Sequence, residues 1–234
     1  MKKIIFNDRY GLTEAVLDEK KTMTRRIIKG DFENIKVYNA NCDWHFIAET
    51  KDGDSVEIKP TYQIGEEVAV AQRYEECWKF YQQQWESRKN PSDWRTPDAI
   101  LGDQVGLTPG WKNKMFVRAD LMPHRIRITD IKVEKLQDIS IGDCLREGII
   151  HVNWRQYLKQ DIDDYSPQPY KDHELWTLPI FEESFLDSWA EQKQGEFAAK
   201  SADIAFAVLI DRISGRGTWQ RNPWVFVYGF RKEE

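Results

Sequence analysis

The chain has 234 residues, which is enough for one domain with a substantial buried core. Hydrophobic residues make up 41% of it and charged residues 31%, a composition typical of globular proteins that excludes a chain disordered throughout. The formal net charge of -5 argues against a protein that binds nucleic acid along its whole surface, because such proteins are basic overall. A local basic patch remains compatible with this charge.

Segments that would indicate export, a membrane or a metal are not found in the sequence. No stretch approaches 18 uninterrupted apolar residues, and the N-terminal residues lack the long apolar core of a secretory signal. We therefore expect a cytoplasmic protein without a membrane partner. The three cysteines, Cys42, Cys77 and Cys144, are far apart and odd in number, and the four histidines are equally scattered. The sequence thus predicts neither a disulfide framework nor a metal site, and no cofactor.

The N-terminal residues predict a short strand, a helix and then a basic run. The strand is Lys3–Phe6, and apolar residues at helical spacing follow from residue 12 to residue 16, with Thr13 or Asp8 as the helix cap. The basic run KKTMTRR, residues 20–26, comes directly afterwards, near a helix C-terminus where the helix dipole favours cations. Local chemistry leaves two alternatives open: a solvated charge run, or the wall of a site for an anionic or nucleoside-like ligand.

Strands dominate the next part of the chain. The segments IKVYNA, WHFIAET, SVEIKP and EEVAVA, between residues 35 and 71, predict four short strands. The Asp-Gly pair in KDGD, residues 51–54, predicts a hairpin between the second and the third. Such a series of short strands favours a barrel or a strongly curved sheet.

Two segments without a clear period interrupt this pattern, at residues 79–115 and at about 152–180. We interpret both as insertions into a single domain that covers residues 1–234. In the first insertion, the tryptophans are expected to anchor the segment rather than to stack on a base. KMFVRA, residues 114–119, predicts a strand, and so does HRIRITDIKVEK, residues 124–135. The alternation of the latter slips by one residue near Thr129 and Asp130, which predicts a β-bulge.

The C-terminal half predicts three helices and a last strand. SIGDCLREGI, residues 140–149, is typical of a short helix capped by Ser140, with Asp143 in a capping-box position. Residues 181–192 and 197–214 predict two further helices, the second ending at Gly215. NPWVFVYGFRK, residues 222–232, is apolar on both faces, which predicts a central strand covered by helices.

Four segments, taken in order, resemble the ASCH-domain proteins of the PUA-like superfamily, in a long form found in bacteriophage and prophage genomes. They are KKTMTRRIIK, KPTYQIGEEVAV, RIRITDIKVEKLQDISIGDCLREGI and NPWVFVYGF. The resemblance covers about half the chain and leaves out both insertions. It implies an α+β fold in which a PUA-like β-barrel is flanked by short helices. It also implies a bacterial host cell and a basic cleft for RNA or a modified nucleoside.

The family's N-terminal pattern is Gly-x-Lys-x-x-Glu-x-Arg. Lys21 and Arg26 match it, while Glu19 stands at the Gly position and Thr24 at the Glu position. Threonine at that position is carried by one branch of the family, small bacterial amidohydrolases that cleave the acetyl amide of N4-acetylcytidine. That branch is proposed to use a Thr, a Lys and a Glu. The resemblance assigns these roles to Thr24, Lys21 and Glu147.

A second departure from the family follows the EEVAV strand. Where relatives often carry Arg-Glu-Thr-Trp, this chain has Ala71, Gln72, Arg73 and Tyr74. A glutamine accepts and donates hydrogen bonds but cannot act as a base. If the family's glutamate contributes to a ligand site, Gln72 therefore preserves binding and not proton transfer.

Amide hydrolysis needs a nucleophile, a proton acceptor and donors for an oxyanion. Lys21 could activate the Thr24 hydroxyl if burial and the neighbouring cations lowered its pKa well below about 10.4. The two side chains share a face on a helical turn but point apart in a strand, so the local backbone decides whether they meet. Glu147 would orient the lysine or protonate the leaving amine, and Arg26 would hold an oxyanion or a phosphate.

Three functions therefore remain open. The first is a binding module for RNA or a nucleoside, with Tyr74 or Trp78 stacking on the base; its ligand contacts are predicted at Lys20, Thr22, Arg26, Gln72, Arg73 and Tyr74. The second is an amidohydrolase acting on an N4-acylated cytidine-like nucleoside. The third is a phage structural or host-interaction protein whose insertions form the contact surface. The sequence identifies no protein partner.

Overall fold

The computed structural model describes residues 1–40, 43–87, 96–152, 175–177, 199 and 201–233. The predicted helix at residues 181–192 and nearly all of the second insertion lie outside these residues. Within them the strands are β1 (Lys2–Ile4), β2 (Met23–Ile27), β3 (Phe32–Ala40), β4 (Asp43–Thr50), β5 (Ser55–Ile58), β6 (Glu67–Val70), β7 (Arg125–Lys135), β8 (Ile150–Val152), β9 (Leu175–Thr177) and β10 (Trp224–Glu233).

The helices of the described residues are mostly short. They are α1 (Leu12–Leu17), α2 (Tyr74–Glu86), α3 (Pro97–Leu101), α4 (Ile141–Arg146), α5 (Ala202–Ser214) and α6 (Thr218–Arg221). The fold is therefore α+β, as predicted. No helix in the described part of the chain is both long enough and apolar enough to cross a membrane.

The main sheet has five strands in the order β1-β6-β7-β10-β2. The β1–β6 pair is parallel and the other three pairs are antiparallel. Among the described residues no backbone ladder joins β1 to β2, so this sheet is not a closed barrel. The chain just after β1 nevertheless reaches the opposite edge, because Arg26 Nη2 in β2 donates a hydrogen bond of 2.9 Å to the carbonyl oxygen of Ile5. The sheet is therefore strongly curved.

Strand β10 is the buried centre of the molecule, as its sequence predicts. Residues 225–230 are buried on both faces, between β7 and β2. On one face the Phe226 ring meets Phe46 of β4 edge-on, with 5.2 Å between ring centroids. On the other face Arg25, opposite Val227 in register, lies 5.7 Å from the ring centroid of Phe206 in α5. One face thus packs on strands and the other on helices, so the predicted cover by helices is found on one face only.

The predicted irregularity in β7 is confirmed. Gly229 pairs with Asp130 and Phe230 pairs with Ile128, which leaves Thr129 as an extra residue. An extra residue of this kind bends a strand and increases its twist. The bulge contributes to the curvature that brings the two edges of the main sheet together.

A second sheet of three strands, β3-β4-β5, packs on the first. The predicted hairpin between β4 and β5 is confirmed, and Gly53 in its turn has a φ of 85°, in the left-handed region that glycine favours. Ile35, Phe46 and Ala48 on the inner face are buried in the main hydrophobic core. A two-stranded pair, β8-β9, completes the strands of the described residues.

The first insertion contains more regular structure than its sequence predicts. Helix α2 covers its beginning. The sequence there contains a run of glutamines and few apolar residues, so it shows no clear helical period. Trp78 and Trp111 pack against a second hydrophobic cluster, and Trp78 Nε1 donates to Asp98 Oδ1 at 2.8 Å. Trp78 precedes the insertion, so among the insertion's tryptophans the expected anchoring role is confirmed for Trp111, whereas Trp85 is 43% exposed. Trp94 lies outside the described residues.

The strand predicted for KMFVRA is wrong. Residues 114–116 and 119–121 form 3-10 turns instead. The reason lies in distant side chains that satisfy this backbone: Lys3 Nζ donates to the carbonyl oxygens of Met115 at 2.8 Å and Val117 at 2.7 Å. Because these carbonyl groups already have partners, a neighbouring strand is not needed to satisfy them.

Helix ends follow the predictions in part. The Ser140 hydroxyl caps α4 by accepting from the Asp143 N–H at 3.1 Å, and α5 ends at Gly215. Helix α1 lacks the predicted side-chain cap, since its N-cap is Gly11. The Thr13 hydroxyl donates to Asp8 Oδ1 at 2.6 Å instead.

We expect Phe46→Ala to lower the free energy of unfolding by about 3–5 kcal/mol, because it removes the ring that joins the two sheets and leaves a cavity. The matched control is Phe116→Ala, whose ring is 62% exposed and whose loss should cost less than about 0.5 kcal/mol. Urea denaturation of both variants measures the difference. Equal unfolding midpoints would show that the two sheets do not share a core.

Candidate functional site

A cavity of about 460 Å³ lies beside β2, the open edge of the main sheet. Residues 5–7, strand β2, helix α5 and the end of α4 form its walls. Its polar lining residues are Asn7, Lys21, Thr24, Arg25, Arg26, Glu147 and Ser214. The structure therefore brings together Lys21, Thr24 and Glu147, the three residues to which the resemblance assigns catalysis.

Lys21 and Glu147 form a buried ion pair at this cavity. Both are less than 5% exposed. Lys21 Nζ donates to Glu147 Oε2 at 2.6 Å and to the Glu147 carbonyl oxygen at 2.7 Å. Two acceptors thus hold the ammonium group where it lines the cavity.

The surroundings lower the pKa of Lys21 from its ordinary value. Burial is the largest cause, since it disfavours the charged form, and the Glu147 carboxylate opposes it. The guanidinium groups of Arg26 and Arg25 lower the pKa further. A lysine that acts as a base near neutral pH needs a lowered pKa, and the pKa of Lys21 is shifted in that direction.

The local backbone places Lys21 between a helix and a strand. Its N–H donates to the carbonyl oxygen of Ala15 in α1 at 2.8 Å, and β2 begins two residues after Lys21. Gly148, which follows Glu147, has a φ of 97°, and a Cβ built there would lie 3.6 Å from Lys21 Cβ. That distance is an ordinary contact, so it is the positive φ and not a lack of space that favours glycine at position 148.

Thr24 is also buried, in β2, and lines the same cavity. Its hydroxyl makes no hydrogen bond with the described residues, so its oxygen is free to meet a ligand. The backbone adds further polar groups at this edge. Phe230 N donates to Thr22 O and Ile28 N donates to Trp224 O, so the even-numbered residues of this segment bond to β10. The backbone groups of Arg25 therefore point towards the open edge.

Arg25 is a residue of the candidate site to which the sequence analysis gave no role. Its guanidinium group contacts three carboxylates: Nη1 lies 3.0 Å from Glu147 Oε1, and Nη2 lies 2.6 Å from Glu134 Oε1 and 3.0 Å from Asp143 Oδ2. Burial alone would lower the pKa of Arg25, but Glu147 and Glu134 outweigh it and raise the pKa. The available signal was its phase, because Arg25 shares one face of β2 with the apolar Met23 and Ile27.

Arg26 points to the opposite face of β2 from Arg25. Its Nη2 is bonded to Ile5 and its guanidinium carbon lies 5.8 Å from the Phe6 ring centroid. Its Nε is buried and has no hydrogen-bond partner among the described residues. This unpaired donor lies on a side chain of the cavity lining.

The six ligand contacts predicted from the sequence do not come together. Arg26 lines the cavity, and the other five do not: Lys20, Thr22, Gln72, Arg73 and Tyr74. Tyr74 is fully buried in the second hydrophobic cluster, where its hydroxyl accepts from the Arg118 N–H at 2.8 Å. Neither Tyr74 nor Trp78 lines the cavity, so neither is placed to stack on a base there.

Three of the other predicted contacts, Arg73, Lys20 and Thr22, have structural partners. Arg73 lies at the start of α2 and pairs with Glu76, and Lys20 lies 3.6 Å from Asp18 on the surface. The Thr22 N–H donates to the Arg146 carbonyl oxygen at 2.9 Å. Gln72 is buried, and its Oε1 has no partner in the described part of the chain.

A metal site and a reactive thiol are two other kinds of functional site. The residues that the structure describes contain no group of three or more His, Cys, Asp or Glu side chains arranged to hold a metal ion. Burial raises the pKa of Cys144 to about 12, so its thiol stays protonated near neutral pH and is a weak nucleophile.

A second cavity of about 450 Å³ lies between β4, β5 and β7. Its lining includes the exposed Trp44 and Ile64 and the partly exposed pair His45 and Glu57. It contains no buried ion pair. The cavity at β2 is therefore the candidate functional site.

Comparisons of the chain with protein-family models, with curated proteins and with solved structures found no match.

Two substitutions should move the pKa of Lys21 in opposite directions. Glu147→Gln removes the charge that raises it, so the pKa should fall further, whereas Arg26→Gln removes a cation that lowers it, so the pKa should rise. NMR titration of the lysine Cε and Nζ resonances measures both shifts, with the exposed Lys20 as the reference in the same spectra. A shift in the same direction in both variants would contradict this account of the site.

Proposed function

We propose that the cavity at β2 binds a small ligand of nucleoside size, and that the chain is an ASCH-type protein of the PUA-like superfamily. The observation that carries the proposal is the buried Lys21–Glu147 pair lining an open cavity. Burying two charges is costly even when they are paired. Titratable groups with a shifted pKa inside a cavity are typical of functional sites.

The size and lining of the cavity favour a small molecule. Its volume of about 460 Å³ falls within the range of about 300–1,000 Å³ that is usual for such sites. Apolar side chains form much of the wall, and a few polar groups complete it. The net charge of -5 supports the same choice, because a long RNA needs a wide basic face.

Two observations support the family. Glu19 stands at the position where the family pattern has Gly, and its φ of 61° lies in the left-handed region that glycine favours. The curved main sheet, whose edges meet through Arg26 and Ile5, is compatible with a PUA-like barrel that is incompletely closed. The cavity would then occupy the gap between the two edges.

Binding is tested by titrating the protein with cytidine, N4-acetylcytidine and adenosine in a calorimeter. Arg26→Gln should weaken the binding of the preferred nucleoside about tenfold or more, since a hydrogen bond to a charged group contributes about 1.5–3 kcal/mol. Lys20→Gln, in the same basic run but outside the cavity, should leave the affinity unchanged. Absence of binding at millimolar concentration would refute the proposal.

Hydrolysis of an N4-acyl group is a second candidate function. It is favoured by the presence, in one cavity, of a threonine hydroxyl without a partner among the described residues and a lysine whose pKa is lowered. The neutral Lys21 amine would take the hydroxyl proton while Thr24 Oγ1 attacks the amide carbonyl carbon. The Arg26 guanidinium, whose side chain lines the cavity, would donate to the oxyanion.

The remaining steps use groups of the same site. As the C–N bond breaks, the ammonium of Lys21 returns its proton to the leaving amine, and an acyl ester remains on Thr24. Water then attacks the ester carbon and gives up a proton to Lys21. As the ester C–O bond breaks, Lys21 returns this proton to Thr24 Oγ1, which restores the hydroxyl and releases the carboxylic acid. Glu147 orients the lysine throughout, through the contact of 2.6 Å.

Acetate release from N4-acetylcytidine tests this candidate. Thr24→Ala and Lys21→Met should each reduce turnover about 100-fold or more, whereas Thr22→Ala, two residues from the proposed nucleophile, should retain it. We expect Thr24→Ala still to bind the nucleoside. A wild-type protein that binds N4-acetylcytidine without releasing acetate would eliminate hydrolysis and leave the binding function intact.

A further inference from the structure

The cavity has an apolar wall as well as charged groups. Phe206, Leu209 and Ile210 of α5 form this buried wall, and the Arg25 guanidinium carbon lies 5.7 Å from the Phe206 ring centroid. Two large apolar side chains at the cavity are exposed to solvent, Met115 at 60% and Ile213 at 38%. A cluster of solvent-exposed apolar side chains around a cavity often marks a binding surface.

The exposed apolar residues come from separate parts of the chain. Met115 belongs to the first insertion, Ile213 to the last turn of α5, and Ile27, which is also 38% exposed, to β2. All three line the cavity. The tertiary structure brings these three residues together, since they do not belong to a single apolar segment.

The insertion is held firmly against the cavity. Lys3 donates to the carbonyl oxygen of Met115 itself. The neighbouring Lys114 donates to the Phe6 carbonyl oxygen and to Thr13 Oγ1. Because charge-assisted hydrogen bonds anchor the backbone on both sides, the Met115 side chain is kept at the cavity mouth before any ligand arrives.

We propose that the ligand of this cavity is a nucleoside bearing an apolar acyl group of several carbon atoms. The inference rests on the proposed function and names the substrate class of the same site. The base and its amide lie towards Lys21 and Arg26, and the acyl chain lies along α5 to the mouth. Met115 and Ile213 then determine specificity, because an acetyl group is too short to cover them.

The test compares N4-acetyl-, N4-butyryl- and N4-hexanoylcytidine by titration calorimetry. Each methylene group fully buried against apolar side chains strengthens binding about fourfold, so the hexanoyl compound should bind at least about tenfold more tightly than the acetyl compound even with partial burial. Met115→Ser and Ile213→Ser should reduce this dependence on chain length while keeping the affinity for the acetyl compound. Leu107→Ser is the control, since Leu107 is 89% exposed on the same insertion and outside the cavity lining.

The outcomes separate the two proposals. If none of the three compounds binds the wild-type protein at millimolar concentration but cytidine or adenosine does, this inference fails and the proposed function stands. If no nucleoside binds, both fail. If all three bind equally well, the proposed function stands and the acyl specificity is overturned. The inference is also overturned if both serine variants keep the full dependence on chain length. Because both substituted side chains are exposed in the wild type, a folding defect is not expected, and thermal unfolding of the variants checks this.

Discussion

The carboxylate of Glu147 lies between two buried cations, Lys21 Nζ at 2.6 Å and Arg25 Nη1 at 3.0 Å. A buried charge that loses its partner costs about 3–5 kcal/mol, so the position of each of these groups depends on the other two. They belong to the segment after α1, to the edge strand β2 and to the end of α4. The ion network therefore sets how these three parts of the chain meet and where the cavity opens.

The same network extends from Glu147 to further charged groups on the helix side of the sheet. Arg25 also binds Glu134 and Asp143, and Lys132 Nζ lies 2.9 Å from each of these carboxylates. The charges on the helix side of the sheet are thus largely compensated within the protein. The edge of β2 is covered by α5 and residues 5–7 rather than by another strand, which protects the edge from pairing and leaves space beside it.

Much of the fold could be predicted because its signals are local. The apolar faces of β10, the shift of alternation at Thr129, the turn at Gly53 and the end of α5 at Gly215 each depend on residues only a few positions apart. The strand predicted at residues 114–119 failed for the opposite reason. Lys3, more than a hundred positions away, donates hydrogen bonds to its backbone carbonyl groups. No local sequence pattern predicts such a contact.

The candidate site likewise has features that the sequence predicts and features that depend on the tertiary structure. The sequence by itself determined which residue types are available, since Lys21, Thr24 and Glu147 were singled out by their order and motif. Only the tertiary structure decided that Lys21 meets Glu147 across 126 positions, that Arg25 binds three carboxylates and that Tyr74 is buried away from the cavity. Pairing of buried charges depends on which faces of distant elements come together, and that is settled by packing of the whole core rather than by neighbours in the chain.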